Sequence, residues 1–214
     1  MPTRKHPSTY QDVSRNFGMH KDLFFCGDSV TFGMELEPEH REYRFSHLVA
    51  TDKNLSYHNN SKSGACNDWI VKHAVQFFRD GNTCDTAIIQ FSAPERWAFF
   101  DTPDNKWRNV GNSKTKNNFK SQEMADAHTV YYKHIYTPEL AKENYWKNVF
   151  FLNEYLKDKC KTIYLTLTPP VPLNDWAPDV EIGSVKHIVG DSRLTGHPSK
   201  EGHRKIADYI IPRL

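Results

Sequence analysis

Apolar positions along the chain change period several times. Leu23-Phe24-Phe25-Cys26 is a short apolar run that stops at Gly27-Asp28-Ser29, the pattern of a buried strand entering a tight turn. Tyr43, Phe45, Leu48 and Val49 stand among charges and predict a short helix within 39–50. Ser56-Tyr57-His58-Asn59-Asn60 predicts a second strand. Trp69, Ile70, His73, Ala74, Phe77 and Phe78 recur at helical spacing between an Asn67-Asp68 cap and a Gly81 stop. Thr86-Ala87-Ile88-Ile89-Gln90-Phe91 is a third strand, ending at Ser92-Ala93-Pro94. From about 99 to 137 the sequence is polar and aperiodic, with Gly111-Asn112-Ser113 and Lys116-Asn117-Asn118, which reads as a functional insertion or lid. Leu140 to Leu156 carries the longest helical period. Thr162 to Thr168 is a fourth strand closed by Pro169-Pro170, Val185 to Val189 a fifth, and a last helix runs from near Ser199 through Ile206, Ala207, Tyr209 and Ile210. Strands alternating with helices predict a mainly parallel α/β sheet covered on both faces.

Composition adjusts this picture modestly. The 214 residues fit one domain, and 13 Phe, 10 Tyr and 5 Trp supply a core despite only 38% hydrophobic residues. A formal charge of +2 argues against a nucleic-acid partner. No apolar run approaches 18 residues, and the first residues lack the apolar stretch of a secretory signal, so a cytoplasmic protein without a membrane partner is expected. Oligomeric state is not legible. Cys26, Cys66, Cys84 and Cys160 form no CxxC pair and read as buried thiols; the alternative is a redox pair of Cys26 and Cys66. Eleven His offer no HExxH or His-x-His spacing, so neither a metal nor another cofactor is expected.

In parallel α/β sheets ligands bind at the carboxyl ends of the strands. The residues found there are Gly27-Asp28-Ser29, Ser63-Gly64-Ala65, Ser92 to Arg96 and Thr168-Pro169-Pro170. Gly196-His197-Pro198-Ser199 stands just ahead of the last helix. A hydroxyl after the first strand and an imidazole before the last helix form a nucleophile and base if the fold joins them.

In these blocks the sequence resembles the SGNH (GDSL-like) hydrolase superfamily: Phe25 to Ser29, Asn60 to Gly64, and His197-Pro198-Ser199 with Gly202, over about residues 22 to 211. The resemblance implies a flavodoxin-like sandwich on a parallel sheet of about five strands, and a serine esterase acting on a small-molecule or carbohydrate ester, foremost an O-acetyl or short acyl group. Ser29 would be the nucleophile and His197 its base, with the Ser29 and Gly64 backbone N–H groups in the oxyanion hole. His203, one turn inside the last helix, reads as a packing or surface residue.

Two positions depart from the family. The Asn of its third block is absent, leaving Ser92, Asn67 or Arg96 to replace an oxyanion donor, with Ser92 and Arg96 on the matching loop. The acid three residues before the His is Leu194 here, and Asp191 is the candidate, with a Ser–His dyad as the alternative. The resemblance gives Asp28 a chiefly structural place in the turn; Asp28, Asn67, Glu95 and Trp97 are the candidates on the substrate side. The Ser92-Ala93-Pro94-Glu95-Arg96 ending is similar to that of SGNH-like proteins of tailed bacteriophages, which would place the chain in a host cytoplasm or virion. A non-catalytic binding or virion-associated protein with a degenerate oxyanion hole is the rival reading. His128, Tyr131, Tyr132, His134 and Tyr136, with Trp97, Phe99, Phe100 and Trp107, are either packing under the insertion or a sugar-stacking surface.

Overall fold

The computed structural model describes residues 18–34, 36–101, 106–111, 121–167, 180–191, 193–194 and 196–214. The Thr168-Pro169-Pro170 turn and the Lys116 to Asn118 loop lie outside them.

Strand β1 (His20–Gly27) is the centre of the construction because its side chains alternate between two cores. Phe24 and Cys26 enter one apolar cluster, and Leu23 and Phe25 the other. β1 pairs in parallel with β2 (Tyr57–Ser61) and β3 (Thr83–Phe91), β3 with β6 (Lys161–Thr166), and β6 with β7 (Ile182–Ser184). The strand order is β2-β1-β3-β6-β7. The chain thus winds outward to β2, crosses back over β1 and continues the other way, so the direction reverses between β1 and β3. That is the doubly wound arrangement whose ligand crevice opens at the reversal.

One face is covered by α3 (Asn67–Arg79) and α5 (Pro138–Leu156), which bury Ile70, Ala74, Phe77, Val149, Leu152 and Leu156. Phe24 stacks on Phe77 at 4.1 Å between ring centroids. The opposite face carries α1 (Ser29–Phe32), α2 (Phe45–Lys53), α6 (Val185–Val189) and α7 (Lys200–Ile210), with Val30, Phe45, Val49, Ile206 and Ile210 inward.

The expected strand at Val185 to Val189 is the helix α6. Val185 and Val189 are four residues apart and both buried, and Ser184 accepts the His187 N–H as its N-cap. Over five residues a helical stripe and a strand share the same apolar positions, and the true strand β7 lies immediately before. The helix expected within 39–50 divides into a 3₁₀ turn, Pro38–Tyr43, and α2, separated by the extended Arg44. The N-cap of α3 is Cys66 rather than Asn67, whose side chain is engaged elsewhere. The aperiodic 99–137 stretch contains regular structure: the hairpin β4 (Trp97–Asp101) and β5 (Lys106–Val110), then α4 (Gln122–Val130) and a π turn, Tyr131–Ile135.

Candidate active site

The site grows from the corner where β1 turns into α1. Gly27 ends the strand against Thr31 and Gln90, and a Cβ there would collide with both. Asp28 is 0% exposed, and each of its polar atoms has a partner. Its N–H donates to Gln90 Oε1 at 3.1 Å, and its Oδ1 accepts the Val30 N–H at 2.9 Å, capping α1. Oδ2 accepts from Ser92 Oγ and from Arg96 Nη1, both at 2.9 Å. Arg96 Nη1 also reaches Ser92 Oγ at 2.8 Å and Ala65 O at 3.4 Å, tying the ends of β1 and β3 to the turn after β2.

Asn67 closes the same network. Its Oδ1 accepts the Ser92 N–H at 2.8 Å and its Nδ2 donates to Ser92 O at 3.3 Å, so it fixes the loop after β3 like a neighbouring strand. Gln90 belongs to no motif in the sequence. It is the polar residue inside an apolar run, 0% exposed, and its Oε1 holds both the Asp28 N–H and the Thr31 hydroxyl. A buried polar side chain needs such partners, and that is the signal that could have found it.

On this corner Ser29 is 4% exposed, and its Oγ lies 3.0 Å from His197 Nε2. His197 belongs to β9 (His197–Pro198), which pairs with β8 (Arg193–Leu194) in a two-residue ribbon ahead of α7. Ser199 caps α7 by accepting the Gly202 N–H at 3.2 Å. The fold therefore brings together two side chains 168 positions apart in sequence. Asp191 stands exposed in the turn after α6, beside Gly190. Gly64 has φ +76 in the turn after β2, a conformation glycine adopts freely, and the turn is closed by Ala65 N–H to Lys62 O.

His203 is 0% exposed rather than on the surface. Its ring stacks on Phe45, its Nδ1 accepts the Phe45 N–H at 3.3 Å, and burial lowers its pKa to about 4.

The remaining candidates lie on the insertion side. Tyr132 donates its hydroxyl to Glu95 O at 2.7 Å, and Trp97 stacks on Tyr131 at 4.1 Å, with Phe99 beside it at 5.3 Å. His128 bonds Gly111 O at 3.1 Å and Cys66 Sγ donates to Asn109 Oδ1 at 3.1 Å. Trp97, Phe99, His128, Tyr131, Tyr132 and Tyr136 pack on one another, and Tyr132 ties them to the loop after β3. A cleft of about 240 Å³ is lined by Val30, Leu167, Val185, Lys186, Val189, Gly196 and Pro198, so the residues next to Ser29 and His197 in sequence form part of its wall. Among the described residues, His20, Asp22 and Asp85 bring ligand-type atoms within 4.8 Å at the opposite end of the sheet. There Asp22 is bonded to Ser56 and His20 to Thr83. Among the same residues no helix is long and apolar enough to cross a membrane.

A five-stranded parallel sheet in this order, flanked by helices, with the Gly-Asp-Ser corner on its first strand, is the fold of the SGNH hydrolases. Solved structures with this fold include a lipolytic protein of the G-D-S-L family from Desulfitobacterium hafniense, 12% identical, with a TM-score of 0.52 over 90% of this chain and 98% of that one. A member of the same lipolytic family from Veillonella parvula is also 12% identical, with a TM-score of 0.52 over 91% of this chain and 97% of that one. A carbohydrate esterase whose active site has divergent catalytic and non-catalytic binding functions is 14% identical, with a TM-score of 0.50 over 91% of this chain and 67% of that one. No protein-family model and no curated protein sequence matches the chain. The likeness is one of fold.

Proposed function

We propose that this protein is an SGNH-type serine esterase that hydrolyses an O-acetyl or short acyl ester of a carbohydrate. The observation that carries this reading is the 3.0 Å separation of Ser29 Oγ and His197 Nε2 at the reversal point of the sheet. The tautomer that makes Ser29 the donor leaves Nε2 unprotonated. His197 then takes the Ser29 proton as Oγ attacks the ester carbonyl. It returns that proton to the leaving sugar oxygen, and the same exchange with water releases the acid. Asp191 is the proposed orienter of the imidazole.

The proposed oxyanion donors are the Ser29 and Gly64 N–H groups and the Arg96 guanidinium. Ser92 and Asn67, the other substitutes for the absent Asn, are committed to Asp28 and to the loop backbone, and act by positioning. Arg96 has five N–H donors on a group already fixed at Asp28. The 240 Å³ cleft, with Val30, Leu167, Val185, Val189 and Pro198 in its wall, suits a short acyl chain, and a carbohydrate esterase of the same fold makes a sugar ester the natural first substrate class.

The test is hydrolysis of nitrophenyl acetate, butyrate and octanoate, and of acetylated oligosaccharides, alongside labelling by a fluorophosphonate. Wild-type protein is expected to turn over the short esters and to be labelled once, at Ser29, whereas Ser29→Ala does neither. Folded wild-type protein that stays unlabelled, or equal rates for the two proteins, overturns the assignment and favours a binding protein on the same fold.

A further inference from the structure

Cysteines at the end of the sheet remote from Ser29 form a pairing that sequence spacing does not suggest. β3 and β6 run side by side with Thr86 opposite Lys161, so Cys84 and Cys160 stand at neighbouring positions where the two strands begin. Both belong to the apolar cluster under α3 and α5, Cys84 at 4% exposure and Cys160 partly exposed at its edge. We infer that Cys84 and Cys160 are a redox-active dithiol, with Cys160 the thiol that reacts with a peroxide and Cys84 the thiol that resolves it into a disulfide.

The two partners differ in the way such a division of labour needs. Hydrogen bonding from the Cys84 thiol, then from Thr162, and the positive charge of Lys159 hold the Cys160 pKa below that of an ordinary thiol. Cys84 is pushed upward by that same bond and by burial, so it keeps its proton. Reactivity follows the thiolate and its exposure, and of the two thiols Cys160 is the one whose pKa is lowered and whose side chain is partly exposed. The pair of Cys26 and Cys66 lacks this character. Cys26 is fully buried and donates to Ile70 O, and burial pushes Cys66 up to about 11 while its sulfur donates to Asn109.

The chemistry balances with hydrogen peroxide as oxidant. The Cys160 thiolate attacks one peroxide oxygen and the O–O bond breaks, giving Cys160 sulfenic acid and hydroxide. The Cys84 sulfur then attacks the sulfenic sulfur, the S–O bond breaks, and hydroxide leaves with the thiol proton as water. Two thiols and one peroxide yield one disulfide and two waters. The bond closes a loop holding the β4–β5 hairpin, α4 and α5, so the oxidised protein should resist unfolding more than the reduced one.

The experiment is brief treatment of folded protein with hydrogen peroxide, followed by thiol counting and peptide mass mapping after alkylation. Two of the four thiols should disappear. A Cys84–Cys160 peptide lighter by two hydrogens should appear and revert with dithiothreitol, and melting of the oxidised form should rise by roughly 5 °C or more. Cys84→Ala should leave Cys160 as a sulfenic acid trapped by dimedone; if that variant does not fold, Cys160→Ser must abolish the disulfide and leave Cys84 unmodified. An unreacted Cys160, a dimedone adduct at Cys160 beside a free Cys84 in wild-type protein, or a disulfide joining other cysteines overturns the inference.

Discussion

Two turns meet at the candidate site, and they are built oppositely. The Gly27–Ser29 corner is wholly inside the protein, with Asp28 at 0% exposure and bonded to Gln90, Ser92 and Arg96 around the end of β3. The Gly196–Ser199 turn is a two-residue ribbon near the surface, with His197 half-buried and Gly196 at φ +143. The position of the serine is therefore a property of the core, and that of the imidazole a property of a local turn. Damage to the first should cost folding and activity together, and loss of the imidazole from the second should cost activity alone.

The strongest way to break this comparison is at His197. His197→Ala should lower kcat/KM by a factor of roughly 10³ or more, because a serine hydroxyl without its base is a poor nucleophile. Its melting temperature should stay within about 1 °C of wild type, as for most changes at partly exposed positions. Asp28→Ala is the counterpart in the core. It strips the Arg96 guanidinium and the Ser92 hydroxyl of their buried acceptor and removes the cap of α1. Breaking a buried pair from one side costs about 3–5 kcal/mol, which denaturant unfolding would register as a lower midpoint with an unchanged slope. If Asp28→Ala unfolds like wild type, or His197→Ala loses stability as Asp28→Ala does, the contrast between the turns is wrong.

His203 tests how the two regions are joined, since it sits on α7 behind the His197 turn and holds the first turn of α2. Burial, then the charges of Arg44 and His197, lower its pKa from 6.5 to about 4. Between those values the unfolded chain binds a proton that the folded protein refuses. Stability is therefore complete above the unfolded pKa, falls as the pH drops from about 6.5, and levels off below about 4. The loss is about 3 kcal/mol. Unfolding free energies measured from pH 7 to 4 should fall more steeply for wild type than for His203→Phe; parallel curves would remove His203 from the account.

Much of the scaffold can be read from sequence because β1, β3 and β6 carry continuous apolar runs that only a core on both faces satisfies. The Gly-Asp-Ser corner could be read because an apolar strand ended on it. Two kinds of feature escaped. Regular elements held by aromatic stacking and long-range polar bonds, such as β4, β5 and α4 around Trp97, Tyr131 and Asn109, leave no apolar period. A residue whose role is to hold other residues, such as Gln90, shows only as a polar side chain at an inward position, because its partners, the Asp28 N–H and the Thr31 hydroxyl, lie just past the end of another strand. The Ser29–His197 meeting is legible only as a condition, because the two residues stand 168 positions apart and His197 lies in a ribbon outside the main sheet.

The finest contrast between the turns lies at Ser199, which ends the His197 turn and begins α7. Its hydroxyl accepts the Gly202 N–H, one of the unpaired donors of the first helical turn. Ser199→Ala should cost about 1 kcal/mol, as loss of a helix cap does, lowering the melting temperature by about 3 °C in a chain of this size. Because α7 starts three residues after His197, fraying of its first turn loosens the imidazole while leaving Ser29 where the core holds it. The expected signature is a several-fold fall in kcat with KM little changed, and labelling of Ser29 by a fluorophosphonate that is slowed but complete. Ser199→Asp, which keeps a cap acceptor, should restore both stability and rate. Loss of stability with an unaltered kcat would mean that the His197 turn is held independently of the helix it precedes.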